Sequence, residues 1–358
     1  MSREPRPKPT AVPSLPPLRV RLPDITDRPI RAGFLLMPGF ALLPYSSTVE
    51  PLRAANQLSG VTIFSWKHVS LDGRPVRASN GIAMVADQGL DEQPGFDIVF
   101  VCAGTGIEGF DHGPTLSWLR ALARQGVLLA GISGGPYVLA SAGVLDGYRA
   151  TIHWDHMPGF AERFPKLALT GRLYEIDRDR ITCSGGVAPL DLMHTLIAAW
   201  RGQELATAVS EWFVQSEVRE PDRSQRMALQ QRFRVSHPKL LDVLAQMEQR
   251  IEEPLDRDTL AQRAGLSVRQ LERLFRGYLG RTIGAHYLEL RLLRARTLMQ
   301  QTTLSVLEVA VATGFVSATH FSRCYAKRFG HAPRHERRTD GVSDRSHVVI
   351  RQVHVAKG

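Results

Sequence analysis

Apolar residues change their spacing along this chain, and the changes divide it. From Ile30 onward short apolar runs alternate with helical patterns. Ala32–Met37 reads as a buried strand, and Ser46–Leu58 follows with Val49, Leu52 and Ala55 on one helical face. Phe64–Leu71 and Ile82–Val85 read as strands joined through Asp72-Gly73 and Arg77-Ala-Ser-Asn-Gly81. Phe96–Cys102 is nearly all apolar and runs into Ala103-Gly-Thr-Gly106. Leu116–Arg124 has helical spacing, Val127–Ile132 is a strand, Leu173–Asp177 and Arg180–Cys183 form a hairpin, and Ala188–Trp200 is an apolar helix. Strands buried on both faces and separated by helices predict an α/β, doubly wound, mainly parallel sheet. Ligands of such sheets sit outside the carboxyl ends of the strands, so the loops after Met37, Cys102 and Ile132 are expected to share one crevice.

After about Val214 the texture turns polar. Arg223–Arg226 and Gln230–Arg234 suggest a linker helix, and from Pro238 the pattern is mostly helical with a weak internal repeat. Leu260-Ala-Gln-Arg-Ala-Gly-Leu-Ser267 precedes a helix over Val268–Leu279, and Val309-Ala-Val-Ala-Thr-Gly-Phe-Val-Ser317 precedes one over Ala318–Phe329. Each unit places a glycine five residues after an apolar position, then an apolar residue, a capping serine and a basic amphipathic helix. The glycine permits a tight turn and the serine caps the second helix, so both units read as helix-turn-helix, in an all-α second domain.

Charge sharpens the division. Residues 1–215 hold 20 basic and 20 acidic side chains, whereas residues 216–358 hold 25 and 15, so the whole excess of +10 lies in the helical part. A basic domain joined to a neutral one points to a polyanion partner for one half, and double-stranded DNA fits the helix-turn-helix grammar. Cys102, Cys183 and Cys324 stand in no metal-like or disulfide-like spacing, which suggests a reducing, cytoplasmic setting and no metal or other cofactor. No apolar run approaches the roughly 20 residues of a membrane helix. Residues 1–27, rich in Pro and Arg, and residues 339–358 read as disordered tails. The expected domains are then 28–215, a linker over 216–237, and 238–338.

The helical part resembles the AraC/XylS family of transcription regulators over roughly Leu240–Arg338, and Leu304–Gly330 nearly follows that family's signature through to Pro333. One departure is His335-Glu336, where the family usually has an aromatic residue, and a less firmly docked last turn is expected from it. The resemblance implies two units on a shared linking helix, here Ala285–Met299, with each recognition helix in the major groove about 34 Å apart. Periodicity puts Leu271, Leu274, Phe275 and Tyr278 on the apolar stripe of the first recognition helix, leaving Arg269, Gln270, Arg273 and Arg276 to face DNA. In the second, Phe321, Tyr325 and Phe329 face inward and Ser317, Thr319, His320, Arg323 and Lys327 face outward. Arg and Gln suit purine edges, while Lys327 and Arg276 suit phosphates.

The first part raises a different question. Gly131-Ile-Ser-Gly-Gly135 spells G-x-S-x-G after an apolar strand, the letters of a hydrolase nucleophile elbow. This half is similar to the ThiJ/PfpI, class I glutamine-amidotransferase-like, superfamily over about Ile30–Phe213, a flavodoxin-like fold. Its enzymes carry a cysteine at the elbow, usually followed by histidine, where this chain has Ser133 and Gly134; the acidic residue expected near Phe40–Tyr45 is missing as well. Serine needs a base to become a nucleophile. His153 and Asp155 are only two apart, and Asp191 and His194 lie in an apolar helix where a structural hydrogen-bonded role is expected. No catalytic residue is therefore assigned, and the elbow reads as a pocket floor. Candidates around it are Ser79, Asn80, Gly104, Thr105, Ser133, Gly134, Gly135, His153 and Trp154.

Together the two halves resemble the GlxA-type regulators. Thr48–Asn56, Pro75–Asn80 and Thr151–Trp154 resemble the branch controlling catabolism of arginine, glycine betaine, carnitine and related amines. The resemblance implies an activator of a catabolic operon, an amine or amino-acid-like effector, RNA polymerase as a partner and a homodimer. The effector's carboxylate would suit the helix N-terminus after Ser133 and its cationic end the ring of Trp154. Two rivals are a Ser133 hydrolase or amidase fused to a DNA-targeting domain, and a DNA-binding module whose first domain only dimerises.

Overall fold

The structure is a computed structural model that describes residues 28–90 and 95–339. Residues 1–27 and 340–358, where the sequence suggests loose tails, lie outside the described residues. The described residues form the strands β1 (Ile30–Leu36), β2 (Phe64–Val69), β3 (Val76–Arg77), β4 (Ala83–Met84), β5 (Ile98–Ala103), β6 (Leu128–Ser133), β7 (Arg149–Ala150), β8 (Ala168–Leu169), β9 (Tyr174–Asp177) and β10 (Arg180–Cys183). Six of them form one sheet in the order β2-β1-β5-β6-β10-β9, parallel throughout except where β9 returns antiparallel beside β10. The central strands β5 and β6 are buried along their whole length, which is why they read as unbroken apolar runs rather than as alternation. Helices α1 (Leu42–Ser59), α2 (Gly113–Arg124), α3 (Gly135–Ser141), α5 (Ala188–Arg201) and α6 (Gln203–Trp212) belong to this unit, with α4 (Met157–Arg163) lying between α3 and α5 in the chain. One core joins Phe34, Phe64 and Phe100 of the sheet to Leu52 of α1 and Leu196 of α5.

The helical unit contains α7 (Leu229–Phe233), α8 (Pro238–Gln249), α9 (Arg257–Arg263), α10 (Val268–Leu279), α11 (Ile283–Gln301), α12 (Val306–Ala312), α13 (Ala318–Phe329) and a closing 3-10 turn, Pro333–Thr339. Its core is split. Leu244, Leu260, Leu271 and Phe275 gather around the first end of α11 at Ile283 and Tyr287. Leu292, Ala295 and Leu298 from the other end pack with Val309, Phe321 and Tyr325. The helix is thus the spine of two small bundles, two residues longer at each end than Ala285–Met299.

The compact units do not follow the sequence boundaries. One unit runs through His153 and resumes over Lys166–Gln225; the other takes Trp154–Pro165 together with the chain from Arg226. The linker also differs from expectation, since Arg223–Arg226 is not helical and only α7 remains. Gln225 explains part of this. Its amide donates to Thr151 Oγ1, Ile152 O and Arg172 O at 3.0, 3.0 and 2.8 Å, which fixes the segment against a loop instead of a helical turn.

Candidate nucleic-acid interface and effector crevice

Both turns form as their sequences dictate. Gly265 and Gly314 lie at φ +61° and +74°, the left-handed region that glycine enters without a steric penalty. Ser267 accepts from Gln270 N and Gln270 reaches back to the Ser267 backbone, a full capping box at the start of α10. Ser317 caps α13 by accepting from His320 N at 3.4 Å. Leu271 and Phe275 are buried beneath α10, and Phe321 and Tyr325 beneath α13. The opposite faces carry Arg269, Gln270, Arg273 and Arg276 on one helix and Ser317, Thr319, His320, Arg323 and Lys327 around the other, all exposed.

Ion pairing separates the cations that build the unit from those left for a partner. Arg328 is bound by Glu289 and Arg296 by Glu336, whereas Arg269, Arg273, Arg276, Arg323 and Lys327 make no ion pair among the described residues. Three expected readers are less free. Gln270 Oε1 is held by Ser267 N and Oγ, so only its NH2 remains for a base edge. Ser317 is engaged as a cap, and His320 lies beside Phe315 with Nε2 3.3 Å from Cys324 Sγ. Tyr278, expected on the apolar stripe, is 45% exposed, its ring lying edge-on against His237. Arg291 is a functional residue that sequence reasoning missed: from α11 its Nε and NH2 donate to Thr313 O and Gly314 O at 2.7 and 2.6 Å, locking the second turn. No local pattern marks an arginine that acts on a turn 22 residues away.

The last turn is docked rather than loose, which corrects the expectation drawn from His335-Glu336. Glu336 is buried and accepts from Arg296 Nε at 2.8 Å, Gln300 Nε2 at 2.7 Å and Tyr325 Oη at 2.8 Å. A carboxylate ties the turn at the place where the family usually has an aromatic residue.

DNA affinity follows from these placements. Arg273→Ala is expected to weaken binding to a site selected from random duplexes by about 1–3 kcal/mol and to relax base preference. Lys327→Ala is expected to weaken all duplexes alike and to lower the salt slope by about 1. Fluorescence anisotropy over a salt series distinguishes the two; equal loss on all sequences for Arg273→Ala would remove it from the base-reading set.

In the α/β unit the elbow keeps its strained geometry. Ser133 lies at φ +60° at the end of β6, and the chain turns at once into α3. A side chain at position 135 would collide with Val101 O, and one at Gly185 would stand 2.7 Å from Ser133 Cβ, so glycines let neighbouring loops close over the serine. Ser133 is only 7% exposed, and its hydroxyl makes no hydrogen bond among the described residues. The proposed alternative bases are occupied. Asp191, fully buried, accepts from Arg219 Nε, NH2 and N and from Gln215 Nε2. His194 is held between Ser210 and Gln203, and burial pushes its pKa down. The cysteines Cys102 and Cys183 are buried, and burial pushes the Cys183 thiol up to about 12.

The elbow loops come together: a side chain at Gly104 would strike Gly39 O, and one at Gly134 would stand 2.8 Å from Gly104 O. Ser79 joins them through its N–H to Phe40 O at 2.9 Å, with Ser79, Asn80 and Thr105 exposed, and His153 N reaches Ser133 O at 3.5 Å. Two expectations are not met. The Gly134 N–H is taken by Ala103 O at 3.3 Å, leaving Gly135 as the donor at the start of α3. Trp154 belongs to the helical unit, where the Arg226 guanidinium lies 4.8 Å over its ring and already takes one face as its cation–π partner.

Residues 31–199 match the DJ-1/PfpI family model and residues 260–339 a helix-turn-helix domain model. The chain is 45% identical over 316 residues to the HTH-type transcriptional regulator GbdR of Pseudomonas aeruginosa, covering 88% of this chain and 86% of the relative. It is 43% identical over 312 residues to GlxA of Rhizobium meliloti, 87% and 96% of the two chains. The chain belongs to this family of HTH-type transcriptional regulators. A crystal structure of an AraC family transcriptional regulator from Pseudomonas putida is 28% identical, with a TM-score of 0.49, covering 52% of this chain and 100% of that one. The family fixes the general function: this regulator binds DNA through its helix-turn-helix units, and its relatives are regulators rather than enzymes despite the DJ-1/PfpI half. No helix of the described residues is long and apolar enough to cross a membrane.

Proposed function

We propose that this regulator activates a catabolic operon when a small amine or amino-acid-like effector occupies the crevice over Ser133. The observation that carries the reading is the retained elbow with an unengaged hydroxyl and no base bound to it, on a chain whose other half presents unpaired cations from two recognition helices. Ser133 Oγ and Gly135 N–H supply donors for a carboxylate, and Ser79, Asn80, Gly104 and Thr105 border the same loops. The closed packing of Gly185 over Ser133 means that binding requires those loops to part. In this reading the protein acts in the cytoplasm, on the nucleoid, as a homodimer that contacts RNA polymerase from its promoter site. Pairing two such chains raises affinity for a double site through effective concentration.

The test is calorimetric titration of the purified protein with glycine betaine, carnitine, L-arginine and related amines, with ligand turnover followed by mass. Stoichiometric binding without product is expected. Ser133→Ala should weaken it by one hydrogen bond, about 0.5–1.5 kcal/mol, or up to about 3 for a charged partner, while a reporter still reaches full induction at saturation. Ser133→Leu should abolish induction at every effector concentration. Turnover that disappears in Ser133→Ala would restore the elbow to chemistry and sink the sensor reading.

A further inference from the structure

Between β7 and β8 the chain leaves the α/β unit after His153, contributes Trp154–Pro165 to the helical unit, and returns at Lys166. The excursion is a packed element. Its short helix α4 lies on α11, where Gly159 approaches so closely that a methyl group there would stand 2.8 Å from Gln301 Cβ. Gln301, 8% exposed, donates from Nε2 to Asp155 O at 2.9 Å, and Arg226 covers the ring of Trp154. Glu162 adds an opposite charge near Arg294 of the same helix.

The root of this connection is held in one unit and its helix in the other. Immediately before it, Thr151 and Ile152 are gripped by Gln225, and His153 N reaches the carbonyl of Ser133. Gln225 precedes Arg226, so two consecutive residues clasp the root of the excursion in one unit and its first residue in the other. On the far side, Gln301 is the last residue of α11, four positions before Ser305 caps α12, the first helix of the second helix-turn-helix. Arg291 on the same α11 locks that unit's turn.

We propose that Trp154–Pro165 is a strap that transmits the state of the Ser133 elbow to α11 and so sets the placement of the second helix-turn-helix. The inference rests on the elbow being the effector-responsive site. A ligand that parts the loops over Ser133 moves the carbonyl bonded to His153 and thus the root of the strap. Gln301 receives that movement at the joint between the linking helix and α12. A bistable seat of this kind couples two distant sites without any direct contact of the ligand with the DNA-reading helices.

Hydrogen exchange on the purified full-length protein, without effector or DNA, tests the strap. Ser133→Gly releases the elbow's left-handed strain, and Ser133→Leu loads it. Either is expected to change exchange within Ile283–Gln301 by at least about threefold. In a Gly159→Leu background, which unseats the strap, the same elbow changes should alter that helix by less than about 1.5-fold. Gln301→Ala is the milder unseating variant should Gly159→Leu fail to fold, and Ser133→Gly is the milder elbow variant. An α11 indifferent to both elbow variants, or one that responds equally with the strap unseated, overturns the proposal. Because no effector is added, this outcome is separate from that of the amine titration.

Discussion

Glu336→Ala is expected to destabilise the helical unit by about 3–5 kcal/mol, the usual consequence of removing one partner of a buried ion pair. The loss strands Arg296, Gln300 and the Tyr325 hydroxyl around an empty position, all three of which now donate to one carboxylate. His331 Nε2, 3.3 Å from the same carboxylate, loses its partner too. Glu336→Gln should recover part of the stability by keeping an acceptor. Burial raises the Glu336 pKa, but the hydrogen bonds from Arg296 and Tyr325 outweigh it and hold the carboxyl below the usual glutamate range. A depressed carboxylate pKa means the stabilisation is complete above the ordinary value of about 4.3 and fades as pH falls through the folded value. Urea denaturation read by circular dichroism at neutral pH measures the effect. A loss under about 1 kcal/mol for Glu336→Ala would show that apolar contacts, not this carboxylate, dock the last turn.

A second large effect is expected higher on the pH scale. His286 of α11 is 4% exposed, lies between the rings of Phe233 and Phe275, and has no hydrogen-bond partner at either ring nitrogen among the described residues. Burial first, and the nearby Arg281 charge second, push its pKa down from 6.5 to about 4. The unfolded chain therefore binds this proton more readily than the folded one. Stability is full above pH 6.5, falls as pH drops from 6.5 toward 4, and levels off below, a change of about 3 kcal/mol at 1.36 kcal/mol per pH unit. His286→Leu should flatten that part of the pH profile while leaving neutral stability equal or higher, since it removes two unsatisfied buried nitrogens. Parallel profiles for the two proteins between pH 7.5 and 4.5 would mean that the imidazole is charged in the folded state.

Much of the site was legible in one dimension because its determinants are local. A glycine followed by an apolar residue, a serine and a 3.6-residue stripe specifies turn, cap and buried face within about 20 positions, and both recognition helices start and stop where that grammar places them. The elbow is equally local: an apolar strand, G-x-S-x-G and a helix put Ser133 at its strained turn. The cation set on each recognition helix follows from the same periodicity, since the apolar stripe dictates what is left outside.

Other features depend on residues far apart in the chain. The sequence alone determined the sheet, the two helix-turn-helix units, the elbow and which cations face outward, because backbone propensity and apolar periodicity act over short distances. Only the tertiary structure showed that Glu336 replaces an apolar dock with an ionic one, since its meaning depends on Arg296, 40 residues away. It also showed that Arg226 already covers Trp154, and that Gly159 meets Gln301 across 142 positions. Tertiary packing likewise assigned Trp154–Pro165 to the helical unit. Such choices are fixed by which buried charges find partners and which small residues admit close approach, and those energies exist only once distant segments share a core.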